Sequence, residues 1–239
     1  MPRRGRVIIP GLPHHIVQRG HNKNAVFIEE RDYRYYLDNL LEWTCELNIQ
    51  VFSYCLMTNH IHLLVQPDDR RDSIGLLMKR LAGRQTRFVN KLEKRTGSLW
   101  ESRYKVSPVE TDTYLLQCSR YIELNPVKAG MVARPSEYEW SSYREKVGLT
   151  ARSLVDADPA FMGLASIDSQ RRERYKQFVE DSYTAEEHQF IQAAVERNQL
   201  TGSARFIDEV ESRTGSVSNT EAGEGRRKKN KSVTFVSCQ

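Results

Sequence analysis

Cys55-Leu-Met-Thr-Asn-His-Ile-His-Leu-Leu-Val65 decides how this chain is read. It is an apolar, strand-like run with two histidines, His60 and His62, placed two apart at its start. Side chains alternate along a strand, so residues i and i+2 leave one face about 7 Å apart. Two imidazoles at that spacing can share one cation. A lone strand histidine is more often a hydrogen-bonded or half-exposed residue, so the pair needs a partner elsewhere in the chain.

A candidate lies downstream, in Asp112-Thr-Tyr-Leu-Leu-Gln-Cys-Ser-Arg-Tyr-Ile-Glu-Leu-Asn-Pro-Val-Lys-Ala-Gly130. Leu115, Leu116, Cys118 and Ile122 recur with helical spacing, Asp112 can cap the start, and Pro126 disfavours continuation beyond Asn125. Tyr121 and Asn125 then stand at i and i+4 on one face near the helix end. A phenol and an amide oxygen on one face suit a site in which a divalent cation polarises a phosphodiester and the phenolate attacks phosphorus. Taken alone, Tyr121 reads as a packing aromatic and Asn125 as turn chemistry before proline. Only their combination with the histidine pair changes that reading.

Five segments in order carry a resemblance to the single-tyrosine HUH transposases of the IS200-like type, and most to the REP-associated tyrosine transposases. They are Pro13-His-His-Ile-Val-Gln-Arg-Gly20, Tyr54-Cys-Leu-Met-Thr-Asn-His-Ile-His-Leu-Leu-Val65, Leu99-Trp-Glu-Ser-Arg-Tyr104, Arg120-Tyr-Ile-Glu-Leu-Asn-Pro-Val-Lys-Ala-Gly130 and Tyr138-Glu-Trp-Ser-Ser-Tyr143. The resemblance spans about residues 5–148. It implies that His60 and His62 are metal ligands flanking the apolar Ile61, that Tyr121 is the nucleophile, and that Asn125 supplies a third ligand through its side-chain oxygen. Relatives place Gln or another polar residue at that last position. It further implies Mg2+ or Mn2+ as cofactor, single-stranded or hairpin DNA as partner, a 5′-phosphotyrosine intermediate and either a monomer or a homodimer. In relatives the amino-terminal region helps to read a short tetranucleotide beside a hairpin, which points Arg3, Arg4 and Arg6 toward DNA. Without the resemblance, those three arginines read equally as a solubilising tail.

Charge agrees with a polyanionic partner. The 239 residues carry a net charge of +5, with an isoelectric point near 9.0. Cations concentrate between residues 70 and 105. At helical spacing, Arg80, Arg84, Arg87 and Lys91 form a basic ridge beside an apolar stripe of Ile74, Leu81, Phe88 and Leu92. The ridge reads either as a phosphate contact or as a solvated helix face. Trp100, with Arg103 and Tyr104, either stacks on an unpaired base or anchors its loop to the core. His14 and His15 are expected on a strand with one ring inward and one outward, outside the ligand set.

Cys45, Cys55, Cys118 and Cys238 form no CxxC pair, which argues against structural zinc and a disulfide scaffold. With no apolar leader region and no apolar run of membrane-spanning length, the expectation is a cytoplasmic, nucleoid-associated protein without membrane contact. No P-loop spacing occurs, and transesterification through tyrosine conserves the energy of the broken bond without ATP.

The periodicities predict an extended segment over Val7–Gln18, a helix over Asp32–Leu47 and a hairpin of Ile49–Met57 and His60–Gln66 about Thr58-Asn59. A helix over Ser73–Glu93, an extended piece over Tyr104–Val109 and the Tyr121 helix follow. The order β-α-β-β-α-β-α suits an α+β fold, and the resemblance implies a ferredoxin-like antiparallel sheet with the histidine strand central. The expected division is 1–148 for the transposase domain, 149–214 for a small helical appendage, and 215–239 for a basic disordered tail. The resulting expectation is a metal-dependent DNA transposase that cleaves and rejoins single strands next to hairpins. The alternatives are a catalytically silent hairpin-binding regulator and a metal-dependent hydrolase in which Tyr121 merely packs.

Overall fold

Alternation along the histidine strand builds the architecture. In β3 (His60–Pro67), Ile61, Leu63 and Val65 join one core cluster and Leu64 another, and His62 is buried on the Leu64 side. A strand buried on both faces must sit inside a sheet covered on both sides. The computed structural model, which describes residues 6–181 and 184–214, shows this arrangement. Arg3, Arg4 and the 215–239 tail lie outside the described residues.

β2 (Ile49–Met57) pairs antiparallel with β3 across the Thr58-Asn59 turn, β1 (His14–Arg19) pairs with the other edge of β3, and β4 (Lys105–Pro108) pairs with β1. The strand order β2-β3-β1-β4 is the ferredoxin-like order, with the histidine strand internal as expected. Helices α1 (Glu30–Leu47) and α2 (Ser73–Leu92) pack on the Ile61 face. Helix α3 (Thr111–Glu123) packs on the Leu64 face through Leu115, Cys118 and Ile122.

Several boundaries differ from the periodicity. The strand β1 begins at His14, because Ile9–Leu12 is a turn closed by Leu12 N donating to Ile9 O at 3.3 Å. Pro10 and Gly11 occupy its central positions, and Gly11 has φ +73°, the conformation that favours glycine. Helix α1 starts two residues before Asp32, because Asp32 closes a capping box, its carboxylate accepting from Ile28 N and Glu29 N. Chain beyond Asn125 continues as a further turn, α4 (Asn125–Lys128), since proline is tolerated in a first turn. Leu92 is exposed at the end of α2, and Leu77, Met78 and Val89 supply the burial instead. His14 and His15 are both fully buried, because both faces of β1 are covered.

The later chain is bound into this framework. Segment 138–142 runs along the β2 edge, with Leu56 N donating to Trp140 O and Tyr138 Oη to Leu56 O. α5 (Tyr143–Lys146) and α6 (Pro159–Met162) lead to α7 (Asp168–Glu180), α8 (Ala185–Arg197) and α9 (Ala204–Thr214). Thr201 exchanges backbone bonds with Pro108 and Glu110, which closes off the β4 edge. The carboxy-terminal helices therefore pack onto the sheet itself, with Ile191 of α8 in the α3 cluster. No helix among the described residues is long and apolar enough to cross a membrane.

Candidate active site

His60 and His62 project from β3 toward α3, and Tyr121 from α3 toward β3. The rings of His60 and His62 lie 5.0 Å apart, and that of Tyr121 lies 5.7 Å from His62. Asn125, one turn beyond Tyr121, lines the same cavity of about 190 Å3. All four residues singled out for chemistry therefore converge, although they come from two distant segments of chain.

Hydrogen bonds define the state of each histidine. Asn59 Nδ2 donates to Lys23 O at 3.0 Å, which turns its Oδ1 toward His60 Nδ1 at 2.6 Å. An amide oxygen only accepts, so the His60 proton sits on Nδ1 and its Nε2 carries the lone pair. His62 Nδ1 lies 3.0 Å from His15 Nε2, and His62 Nε2 is buried without a hydrogen-bond partner. A cation on His62 Nε2 requires the proton on Nδ1, and His15 is the acceptor in place for it. Burial lowers the His60 imidazole to about 4, with Arg19 adding to the effect. Burial also holds His62 well below the usual histidine range, helped by the charges of His60, His15 and Arg19. Both rings are thus neutral at pH 7, the form that binds metal.

Asn125 turns its amide group back on the helix, Nδ2 donating to Tyr121 O at 2.8 Å and to Ile122 O at 3.3 Å. This leaves Oδ1 as the group available to a ligand. Two imidazole nitrogens and one amide oxygen around one cavity fit a divalent cation that keeps open positions for water or substrate oxygen. No cluster of three or more His, Cys, Asp and Glu side chains suited to a metal occurs among the described residues.

Tyr121 is only 4% exposed. Burial pushes its phenol up, Cys118 and Glu196 push it further, and Arg19 pulls the other way. Its ring is bracketed by His15 at 5.5 Å and by His188 of α8 at 4.9 Å. Gln192, Val195 and Glu196 extend the α8 wall of the cavity. Arg120 fixes α8 to α3, donating to both Glu187 carboxylate oxygens at 2.7 and 2.8 Å and to Phe178 O at 2.9 Å.

The residues expected to touch DNA separate into groups. Arg80 and Arg84 lie on α2, across the sheet from Tyr121. Arg80 donates to Glu46 at 2.7 Å, Arg84 to Glu42 at 3.0 Å, and both stack on Trp43. Arg87 is exposed on the same remote face. Their ridge is a helix–helix contact with α1, not a wall of the site. Trp100 is a core anchor: it is 6% exposed and donates from Nε1 to Ala82 O at 3.2 Å. Arg6 lies 3.9 Å over the Tyr104 ring and donates to the Tyr104 carbonyl. Arg103, held on the loop that Trp100 anchors, does reach the cavity.

The sequence places His15 outside the ligand set and gives no signal that singles out Arg19, Asn59, His188 or Glu196. Asn59 sits inside the quoted motif and was the one most open to discovery. The α8 residues carry no local signal, because their role depends on how a distant helix docks.

Residues 9–125 match the family profile described as "Transposase IS200 like". A Haemophilus influenzae protein described as "Putative REP-associated tyrosine transposase" is 26% identical over 142 residues, covering 52% of this chain and 79% of that protein. A solved structure of a REP-associated tyrosine transposase bound to a REP hairpin has the same fold, with a TM-score of 0.55 at 16% identity. That superposition covers 67% of this chain and 93% of the other.

Proposed function

We propose, from the match of residues 9–125 to the IS200-like transposase profile, that this protein cleaves and rejoins single-stranded DNA beside hairpins through Tyr121. The observation that carries the reading is the convergence of His60, His62, Tyr121 and Asn125 on one cavity. His60, His62 and Asn125 would hold Mg2+ or Mn2+, which supplies Lewis-acid polarisation of the scissile phosphate. Asn59 and His15 hold the two imidazoles so that each aims a lone pair inward. The buried phenol is a weak nucleophile until it gives up its proton. Attack forms the Tyr121 Oη–P bond and breaks the P–O3′ bond, and the proton lost by the phenol is balanced by the one gained at the 3′ oxygen. The phosphotyrosine keeps the bond energy, so a 3′ hydroxyl can reverse the step and join a new end.

The near-complete burial of Tyr121 beneath α8 favours a second reading, a hairpin-binding regulator without catalysis. A denaturing gel separates the two. Labelled single-stranded hairpin DNA with Mg2+ or Mn2+ should give a covalent adduct that disappears in Tyr121→Phe. Tight binding with no adduct from the unaltered protein would support the silent regulator, and an adduct surviving in Tyr121→Phe would remove Tyr121 from the nucleophile's role.

A further inference from the structure

Arg19 ends β1 directly opposite His60 across the ladder. Directly opposed residues project to the same face, so the Arg19 side chain leaves the sheet on the side of His60, His62 and Tyr121 and lines their cavity. Its backbone is held on both sides. Glu101 N donates to Arg19 O at 2.9 Å, and the next residue, Gly20, donates from N to Asn59 O at 2.8 Å. A Cβ at Gly20 would lie 2.3 Å from Asn24 O, so the strand end is seated where only glycine fits. By contrast, the exposed guanidinium has no ion pair or hydrogen bond with a described residue. The arginines Arg80, Arg84 and Arg120 are all committed to carboxylates.

The chemistry needs a cation at this place. A phosphodiester beside Tyr121 carries one negative charge and gains another on its non-bridging oxygens as the phenolate adds. Glu101 and Glu196 also line the cavity and oppose such charge. We propose that Arg19 is a catalytic residue that grips a non-bridging oxygen of the scissile phosphate and stabilises the charge that builds there during attack. The bonds made and broken are those of the tyrosine mechanism, on which this assignment rests.

The test is single-turnover adduct formation on labelled single-stranded hairpin DNA with Mn2+, for the unaltered protein, Arg19→Ala, Arg19→Lys and Tyr121→Phe. Mn2+ affinity of each is measured separately by calorimetry. Arg19→Ala should form adduct about 100-fold more slowly or worse, as expected for loss of a charge-stabilising donor. Its Mn2+ affinity should not weaken. Free guanidinium ion should restore part of the rate to Arg19→Ala, and Arg19→Lys should fall between. An unchanged rate in Arg19→Ala, or a rate loss matched by lost Mn2+ affinity, overturns the assignment and leaves the tyrosine mechanism standing. Absence of adduct from the unaltered protein overturns that mechanism and the role of Arg19 with it.

Discussion

At the scale of single residues, the site is organised by groups that would not themselves touch a cation. Asn59 bonds in two directions, to Lys23 O and to His60 Nδ1, and so selects the tautomer that leaves His60 Nε2 unprotonated. Such outer partners of a ligating histidine are commonly worth 10–100-fold in affinity. Asn59→Leu should therefore weaken Mn2+ binding by about that factor while the protein stays folded, as calorimetric titration beside circular dichroism would show. Equal affinity in the variant would mean that packing alone orients the ring. His15 stands in the same relation to His62, yet a histidine pair in adjacent strands has no signature in sequence because the strands' register brings the rings together.

Among the elements, the docking of α8 on α3 sets the environment of Tyr121. Arg120 and Glu187 are 7% and 15% exposed at the side chain, so their pair is shielded from screening. Removing one partner of a buried pair strands the other charge, at a cost of about 3–5 kcal/mol. Glu187→Ala is expected to lower the melting temperature by roughly 6–12 °C, taking about 3 kcal/mol and 2–4 °C per kcal/mol. The double variant Arg120→Met, Glu187→Leu should recover most of that loss, because it leaves no unpaired charge. A Glu187→Ala protein that melts where the parent does would show that apolar contacts through Ile191 hold the helix unaided.

For the molecule as a whole, burial of both sheet faces ties stability to pH. His14 is fully buried, accepts from Ile9 N at Nε2 and donates from Nδ1 to Leu12 O. Burial lowers its imidazole to about 4, below the value near 6.5 expected in the unfolded chain. The unfolded chain then binds the proton first, so this contribution is complete above about pH 6.5 and is lost as the pH falls toward 4. Urea unfolding should become easier by about 2 kcal/mol between pH 7 and pH 5 on account of His14 alone. The His14→Gln variant should show a shallower slope over that window, and an unchanged slope would place the acid sensitivity elsewhere. What the sequence by itself determined was whatever repeats locally: the period of two that makes β2 and β3, the helical spacing of α1, α2 and α3, and the motifs holding His60, His62, Tyr121 and Asn125. What only the tertiary structure decided was adjacency. The amide of Asn59, the alignment of Arg19 with His60, the burial of His15, the capture of Arg80 and Arg84 by α1, and the placing of α8 over Tyr121 all depend on strand register and helix docking. Those follow from the burial of distant surfaces against one another, and no local pattern of residues records which surfaces will meet.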